Sequence, residues 1–255
     1  MSVLVLRALE REMVVYRRTW RGSAFSSVVQ PLLFLGAMGL GLGGLVDRSA
    51  GAVAGLEYVE FVAPGLLAAS AFMTAAGESL WPVLGGVKWQ GQFKSMVATS
   101  MTPGDVYGGL VLATATRAVV GSVSFLAVAA LLGATPSWWT PVALVAPVLL
   151  AATTSAVLAA FAVTRDDDAS MSLVMRVGVI PLFLFSGTFF PVDQLPDAVE
   201  GAVWLSPLWH AVEAARDLTT DAPDLGTIVH LVVLVAVLAV ALPLGVRSFT
   251  RRLTP

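Results

Sequence analysis

The sequence predicts an all-α protein built into a lipid bilayer, and three observations carry that expectation. Hydrophobic residues make up 57% of the 255-residue chain and charged residues only 13%, against roughly 45–50% and about 25% in a soluble domain. Mean hydropathy is +0.83, more apolar side chain than a water-soluble body of this length can hide. Six apolar segments reach the ~20 residues that a helix needs to cross the hydrocarbon, and none shows the alternation of a barrel strand.

The segments cover about residues 24–46, 59–81, 106–133, 141–163, 172–191 and 227–247. Five contain a proline (Pro31, Pro64, Pro147, Pro181, Pro243). Neighbouring helices can satisfy the carbonyls that proline frees, so kinked spans are predicted. The first segment is glycine-rich, and Gly39-x-x-x-Gly43 offers a small-residue face for close helix approach. Ahead of it, residues 3–20 predict an amphipathic helix on the membrane surface. Leu6, Leu9, Met13 and Tyr16 form its apolar stripe, and Arg7, Arg11 and Arg18 its polar side. The apolar start Val3-Leu4-Val5-Leu6 is too short, and too soon followed by charge, for a cleaved signal peptide.

Charge orients the bundle. With the N-terminus inside, Arg7, Arg11, Arg17, Arg18, Arg21, Lys88, Lys94, Arg165, Arg247, Arg251 and Arg252 fall on the cytoplasmic side. Arg48 and Arg216 alone fall outside, and eleven against two is a clear positive-inside bias. Acids show the reverse trend, with Glu57, Glu60, Asp193, Glu213, Asp217 and Asp224 among those outside. Trp20 and Trp81 at inner span ends, and Trp138 and Trp139 at an outer turn, suit an aromatic belt. Both termini are therefore predicted inside, in the cell (inner) membrane.

Connections 47–58, 134–140 and 164–171 are short. In the cytoplasmic loop 82–105, Gly85-Gly86 and Pro103-Gly104 bracket a short helical stretch that carries Lys88, Trp89, Phe93, Lys94, Met96 and Val97. That mixture fits a surface connector and a segment that docks on a partner equally well. The outer connection 192–226 is broken by Pro196, Pro207 and Pro223 into pieces too short to span and too apolar for a free loop. It predicts two helices dipping into the outer face. The second, about 207–219, carries Leu208, Val212, Ala215 and Leu218 on one side, and Ser186-Gly187-Thr188 unwinds the fifth span just before them.

Catalytic constellations are scarce. The chain has no cysteine and no G-x-x-x-x-G-K-[ST] phosphate loop, and a net charge of −2 gives no basis for nucleic-acid binding. His210 and His230 lack metal-ligand spacing, and His210 with Glu213 three residues on reads as a surface hydrogen bond. Asp166-Asp167-Asp168 is half of what an intramembrane, metal-dependent lipid enzyme would need. With no second acidic cluster on that side, the run reads as a turn whose Asp168 or Ser170 caps the fifth span. Three ionisable residues fall inside spans: Glu78, Arg117 and Arg176. Arg176 is near enough to the inner surface to snorkel, and pairing with Glu78 would lower the cost of the deeper Arg117. The absence of mid-membrane acids disfavours proton-driven antiport.

Three stretches resemble the ABC-2 type permeases, in their nodulation-type lipo-oligosaccharide and drug exporter branch. They are Phe61-Val-Ala-Pro-Gly-Leu-Leu-Ala-Ala-Ser-Ala71, Trp89-Gln90 with Met96-Val-Ala-Thr-Ser-Met-Thr-Pro103, and Phe185-Ser-Gly-Thr-Phe-Phe-Pro-Val-Asp-Gln-Leu-Pro196. Ser206-Pro-Leu-Trp-His-Ala-Val-Glu213 continues the match. The resemblance implies a single transmembrane domain over residues 1–255 that works as a dimer of permeases, with two copies of a separate ATP-binding subunit on the cytoplasmic face. ATP and magnesium would be bound there and not by this chain. Loop 82–105 would be the coupling helix, with Lys88, Trp89, Phe93, Lys94 and Met96 as contacts. The 192–219 pieces would be re-entrant helices that close the exit, with Phe189, Phe190, Trp204 and Trp209 as the outer gate. Gly91 departs from the bulky polar or basic residue frequent in that loop. The implied activity is export of an amphipathic glycolipid, oligosaccharide or drug. An antibiotic-efflux permease, a metal-dependent lipid enzyme and a membrane anchor for a cytoplasmic partner are the alternatives.

Overall fold

A computed structural model describes residues 3–37, 41, 53, 55–220 and 223–254. The chain is all-helical: among these residues the sole extended pairing is an isolated bridge between Val53 and Leu56. In order, the helices are α1 (Val3–Leu35), α2 (Tyr58–Ser79), α3 (Trp81–Lys88), α4 (Gln92–Val97), α5 (Pro103–Leu131), α6 (Val145–Ala162), α7 (Asp168–Leu173), α8 (Ile180–Phe185), α9 (Asp197–Val203), α10 (Pro207–Thr219) and α11 (Leu225–Leu253). Five stretches are long and apolar enough to cross a membrane: Tyr58–Lys88, Pro103–Leu131, Val142–Ala162, Asp168–Phe185 and Leu225–Leu253. They correspond to the second to sixth predicted segments. The first enters the described residues as the end of α1; Gly39 and Gly43 lie outside them.

Local chemistry sets the ends. Thr102 and Asp105 form a reciprocal capping box at the start of α5, with Pro103 in its first turn. Asp224 and Thr227 do the same for α11, and Ser206 caps α10 ahead of Pro207. Asp167 caps α7 by accepting from the Ser170 amide at 2.7 Å, so the capping residue stands one place before the predicted Asp168. Between α7 and α8 the helix widens into a π segment, Val174–Val179. Pro181 follows directly. It has no N–H for the carbonyl four residues back and its ring crowds that turn, which favours local widening.

Residues 3–20 are helical as predicted, and the helix runs on without a break: they begin a 33-residue helix that packs along α5. Ala8 sits so close to Gly109 that a Cβ on the glycine would lie 2.4 Å from the Ala8 methyl. Leu6, on the predicted apolar stripe, is 49% exposed. Leu9, Met13 and Tyr16 of the stripe are half-buried, as are Arg11 and Glu12, and Ala8 is the most enclosed residue of this turn.

A correction concerns the loop 82–105. Gly85 and Gly86 do not break the chain; both are buried inside α3. The turn falls at Gly91, whose φ of +63° is left-handed and favours glycine. Gly86 is needed for contact instead, since a Cβ there would meet Phe93 at 2.6 Å.

Three apolar clusters stack along the bundle. One, around Leu84, Phe93, Tyr107, Met171 and Phe249, fills the end where Arg11, Lys88, Arg165 and Arg252 gather, here the basic pole. The second joins α2, α6, α10 and α11 through Phe72, Leu150, Leu208 and Leu234. The third, with Leu35, Phe61 and Phe125, lies toward the acidic pole of Glu57 and Glu60. Helices α2 and α3 form the centre, and most of their most apolar stretch is buried. The α7–α8 and α11 stretches, most of whose residues are not buried, form the perimeter and turn apolar faces outward.

Candidate functional site

At the basic pole, α3 and α4 meet at the Gly91 turn over a core built by Phe93. That ring is 1% exposed and lies 6.1 Å from Phe249, itself 5.0 Å from Tyr107. Phe93 is therefore corrected from a contact residue to an internal anchor. Its spacing in a short amphipathic stretch did not separate the two roles. Trp89 is 60% exposed, Lys88 and Lys94 are exposed, and Met96 is half-buried against the core. Lys88 donates to the Asp166 carbonyl, and Arg252 pairs with the Asp166 carboxylate. The Asp166–Asp168 run thus ties α3 and the end of α11 to the turn before α7. The Asp167 carboxyl is held below the usual range, first by the Ser170 amide and then by the Ser170 hydroxyl.

Just above this face lies a polar chamber of about 260 Å³ between α1, α2, α3, α5 and α6. Arg117 Nε stands 3.0 Å from Glu78 Oε2, so the structure brings together the two intramembrane charges that sequence paired. The Arg117 guanidinium also lies 6.0 Å over the Tyr16 ring. Arg11 pairs with Glu12 at 2.6 Å and donates to Gln92, which carries the network from α1 to the Gly91 turn. On the floor, Ser79 donates to Ser155 at 3.0 Å, and Ser155 lies 3.4 Å from Thr114. Arg176 does not join this group; it is exposed in the π segment.

At the acidic pole the turn Ser186-Gly187-Thr188 is buried and held from three sides. Gly187 has φ +77°, Ser186 meets Ser206 at 3.2 Å, and Thr188 lies so close to Gly65 that a Cβ there would be 2.7 Å from its carbonyl oxygen. Arg216 supplies the third. This residue, counted from sequence as an outer-loop charge, is 8% exposed. It donates to Gly187 O at 2.7 Å, pairs with Glu213 at 2.6 Å and lies 4.1 Å over Phe61. The Glu213–Arg216 spacing was its one legible signal.

The four aromatics assigned to the outer gate form two groups. Phe189 packs edge-on against Phe183 at 5.5 Å, and Phe190 sits 6.4 Å from Phe185. Trp204 and Trp209 are 6.4 Å apart and cover a histidine pair that sequence did not reveal. His210 Nδ1 and His230 Nδ1 are 2.7 Å apart, joining α10 to α11, with Trp209 edge-on to both rings at 4.9 and 5.0 Å. Burial and the second imidazole lower the His210 pKa. Burial raises that of Asp217, whose carboxylate accepts from Thr227 at 2.7 Å. The expected His210–Glu213 bond gives way because Glu213 is taken by Arg216.

A family model described as ABC-2 type transporter matches residues 4–219. A nodulation protein J of Rhizobium leguminosarum bv. viciae is 29% identical over 253 residues, 94% of each chain. That of Azorhizobium caulinodans is 30% identical over 217 residues, 83% of this chain and 82% of its own length. The nodulation protein J of Rhizobium meliloti is 27% identical over 247 residues, covering 96% and 92%.

Proposed function

This chain belongs to the ABC-2 type transporter family and is a multi-pass permease of an ABC exporter, and on that premise we propose that it moves an amphipathic glycolipid, oligosaccharide or hydrophobic drug outward across the cell membrane. Two copies pair, and each engages an ATP-binding subunit, which holds the ATP and magnesium, at the basic pole. Both termini and the Gly91 turn face the cytoplasm, in keeping with the positive-inside bias. The observation that carries the coupling reading is the exposed Trp89 beside Lys88 and Lys94, raised on a turn that Phe93 anchors from beneath.

In this reading the ATPase biases a conformational equilibrium of the permease and this chain performs no bond chemistry. A push on the Gly91 turn reaches α1 through Gln92 and Arg11, and α11 through Phe93 and Phe249. The α9–α10 cap, braced by Arg216, closes the outer end until the bundle repacks. The broadly apolar spans favour cargo that carries a lipid or other hydrophobic part.

Co-purification with the ATPase from the same cell, followed by lipid-stimulated ATP hydrolysis, tests the assignment. Trp89→Ala with Lys94→Glu leaves the permease folded and abolishes co-purification or stimulation. Intact assembly and turnover in that double variant would overturn the coupling role.

A further inference from the structure

We propose that the open groove between α6 and α11 holds one acyl chain of an anionic phospholipid, whose phosphate is met by Arg247 and Arg251 at the basic pole. This lipid is a resident of the perimeter and not the exported cargo, so the inference asks only that the chain lies in a bilayer.

Small side chains, Ala160 on α6 and Ala236 and Ala241 on α11, leave a depression beside Val157, Val240 and Leu244. The groove measures about 440 Å³ and shares no lining residue with the chamber of Glu78 and Arg117. Val240 and Leu244 are 62% and 51% exposed, so it opens outward on the perimeter. From Ala236 to Leu244 the helix rises about 12 Å at 1.5 Å per residue. Half of a ~30 Å hydrocarbon core is ~15 Å, so the groove has the length of one chain in one leaflet.

Charge completes the match. Val237, Val240, Leu244, Arg247 and Arg251 recur at three- and four-residue spacing, which is one face of α11. The apolar groove therefore runs on into two cations at the basic pole, and both are exposed. Their basic neighbours are engaged: Arg252 pairs with Asp166, and Arg165 lies 4.6 Å over the Phe161 ring. Neither Arg247 nor Arg251 pairs with an acid among the described residues. A chain that ends in a phosphate presents the same order of chemistry, and guanidinium groups suit phosphate through paired N–H donors. A second copy fits less well. Two copies joined through this face, about an axis along the membrane normal, would set Arg247 and Arg251 opposite their own counterparts at equal depth, where like charges repel. A lipid that bridges α6 and α11 also steadies α11, whose Phe249 packs on Phe93 beneath the Gly91 turn.

The test titrates the full chain, stripped of lipid in neutral detergent, with dioleoylphosphatidylglycerol, dioleoylphosphatidylcholine and glycerol 3-phosphate. Native mass spectrometry reads bound lipid, and the melting temperature reads its effect. One phosphatidylglycerol is expected to bind about 25-fold more tightly than phosphatidylcholine, since each basic side chain beside an anionic headgroup is worth about fivefold. It raises the melting temperature, and glycerol 3-phosphate alone does neither. Arg247→Gln lowers the preference about fivefold, and Arg247→Gln with Arg251→Gln abolishes it. Arg17→Gln with Arg18→Gln removes the same charge from an exposed face of α1 and leaves the preference unchanged. Ala236→Phe, at an exposed position where folding is not at stake, fills the groove with both arginines in place and weakens phosphatidylglycerol binding. Undiminished preference in the Arg247 and Arg251 double variant, an equal loss in the Arg17 and Arg18 pair, unchanged binding in Ala236→Phe, or displacement by glycerol 3-phosphate would overturn the site. The chain has no cysteine, so Val240→Cys reports on a second copy alone. Ready disulfide formation between copies in membranes gives the groove to that copy and overturns the proposal as well.

Discussion

Arg117 Nε on α5 stands 3.0 Å from Glu78 Oε2 on α2, joining two antiparallel helices by opposite charges inside the bundle. Breaking a fully buried pair costs about 3–5 kcal/mol. These side chains are 16% and 28% exposed, which allows some solvent relief and sets the expectation for Glu78→Gln at about 1–3 kcal/mol. The exchange Glu78→Arg with Arg117→Glu recovers part of that loss. Gel filtration after graded heating, run as a double-mutant cycle, measures both; additive losses would show that the pair is not coupled.

Arg216 braces the acidic pole through a carbonyl, a carboxylate and an aromatic face. Lysine keeps the charge but loses the planar fork that reaches Gly187 and Glu213 together. Arg216→Lys is expected to lower stability by about 1–3 kcal/mol and to speed proteolysis of the 186–206 region, while leaving ATPase binding at the opposite pole unchanged. Wild-type cleavage kinetics would show that the brace carries no weight.

Acid is expected to loosen α10 from α11. The His210 pKa lies below its ordinary 6.5, through burial first and His230 second. Between those two values the unfolded chain binds the proton more readily, so stability falls as pH drops below about 6.5. Asp217, raised by burial, has the opposite sign: it gains protons on folding, and at lower pH it restores some stability. Glu213 and Arg216, the other charged groups on this side of α10, are paired with each other. Melting temperatures from about pH 7.5 to 5.5 fall more steeply for the wild type than for His210→Gln, and parallel curves would exclude the histidine pair as the cause.

Gly245 provides the notch that Tyr107 fills. A Cβ there would lie 2.1 Å from the ring, whose hydroxyl donates to Ala156 O at 2.9 Å. Gly245→Ala forces α11 away from α5 and is expected to cost about 1–3 kcal/mol by overpacking, read as a lower melting temperature. A neutral result would mean that α11 shifts freely.

Periodicity sufficed for the second to sixth spans because each needs only a long apolar run. The extent of α10 was legible too, since Pro207 and the Leu208, Val212, Ala215, Leu218 spacing mark one helix and its buried side. What stayed hidden depends on contacts between distant segments. Ala8 rather than Leu6 faces inward because Gly109, a hundred residues away, admits it. Phe93 reads like Trp89 until Gly86 and Phe249 close over it. The histidine pair needs α10 to fold back on α11, which no local pattern records. In the candidate site, the Glu78–Arg117 pair was foreseeable because charge in a bilayer demands a partner. The chamber around it was not, because Arg11 and Glu12 belonged to a helix predicted to lie elsewhere.

The last helix ends inside the packing of the basic pole, where Phe249 and Leu253 are buried, and begins with Thr227 buried at the other. Its 29 residues make a rod about 43 Å long at 1.5 Å per residue. Such a rod is seated at each end by buried side chains. Gly245 against Tyr107 seats it a third time, nearer the basic pole, so one rigid element touches the core beneath the Gly91 turn through Phe249 and the histidine pair through His230.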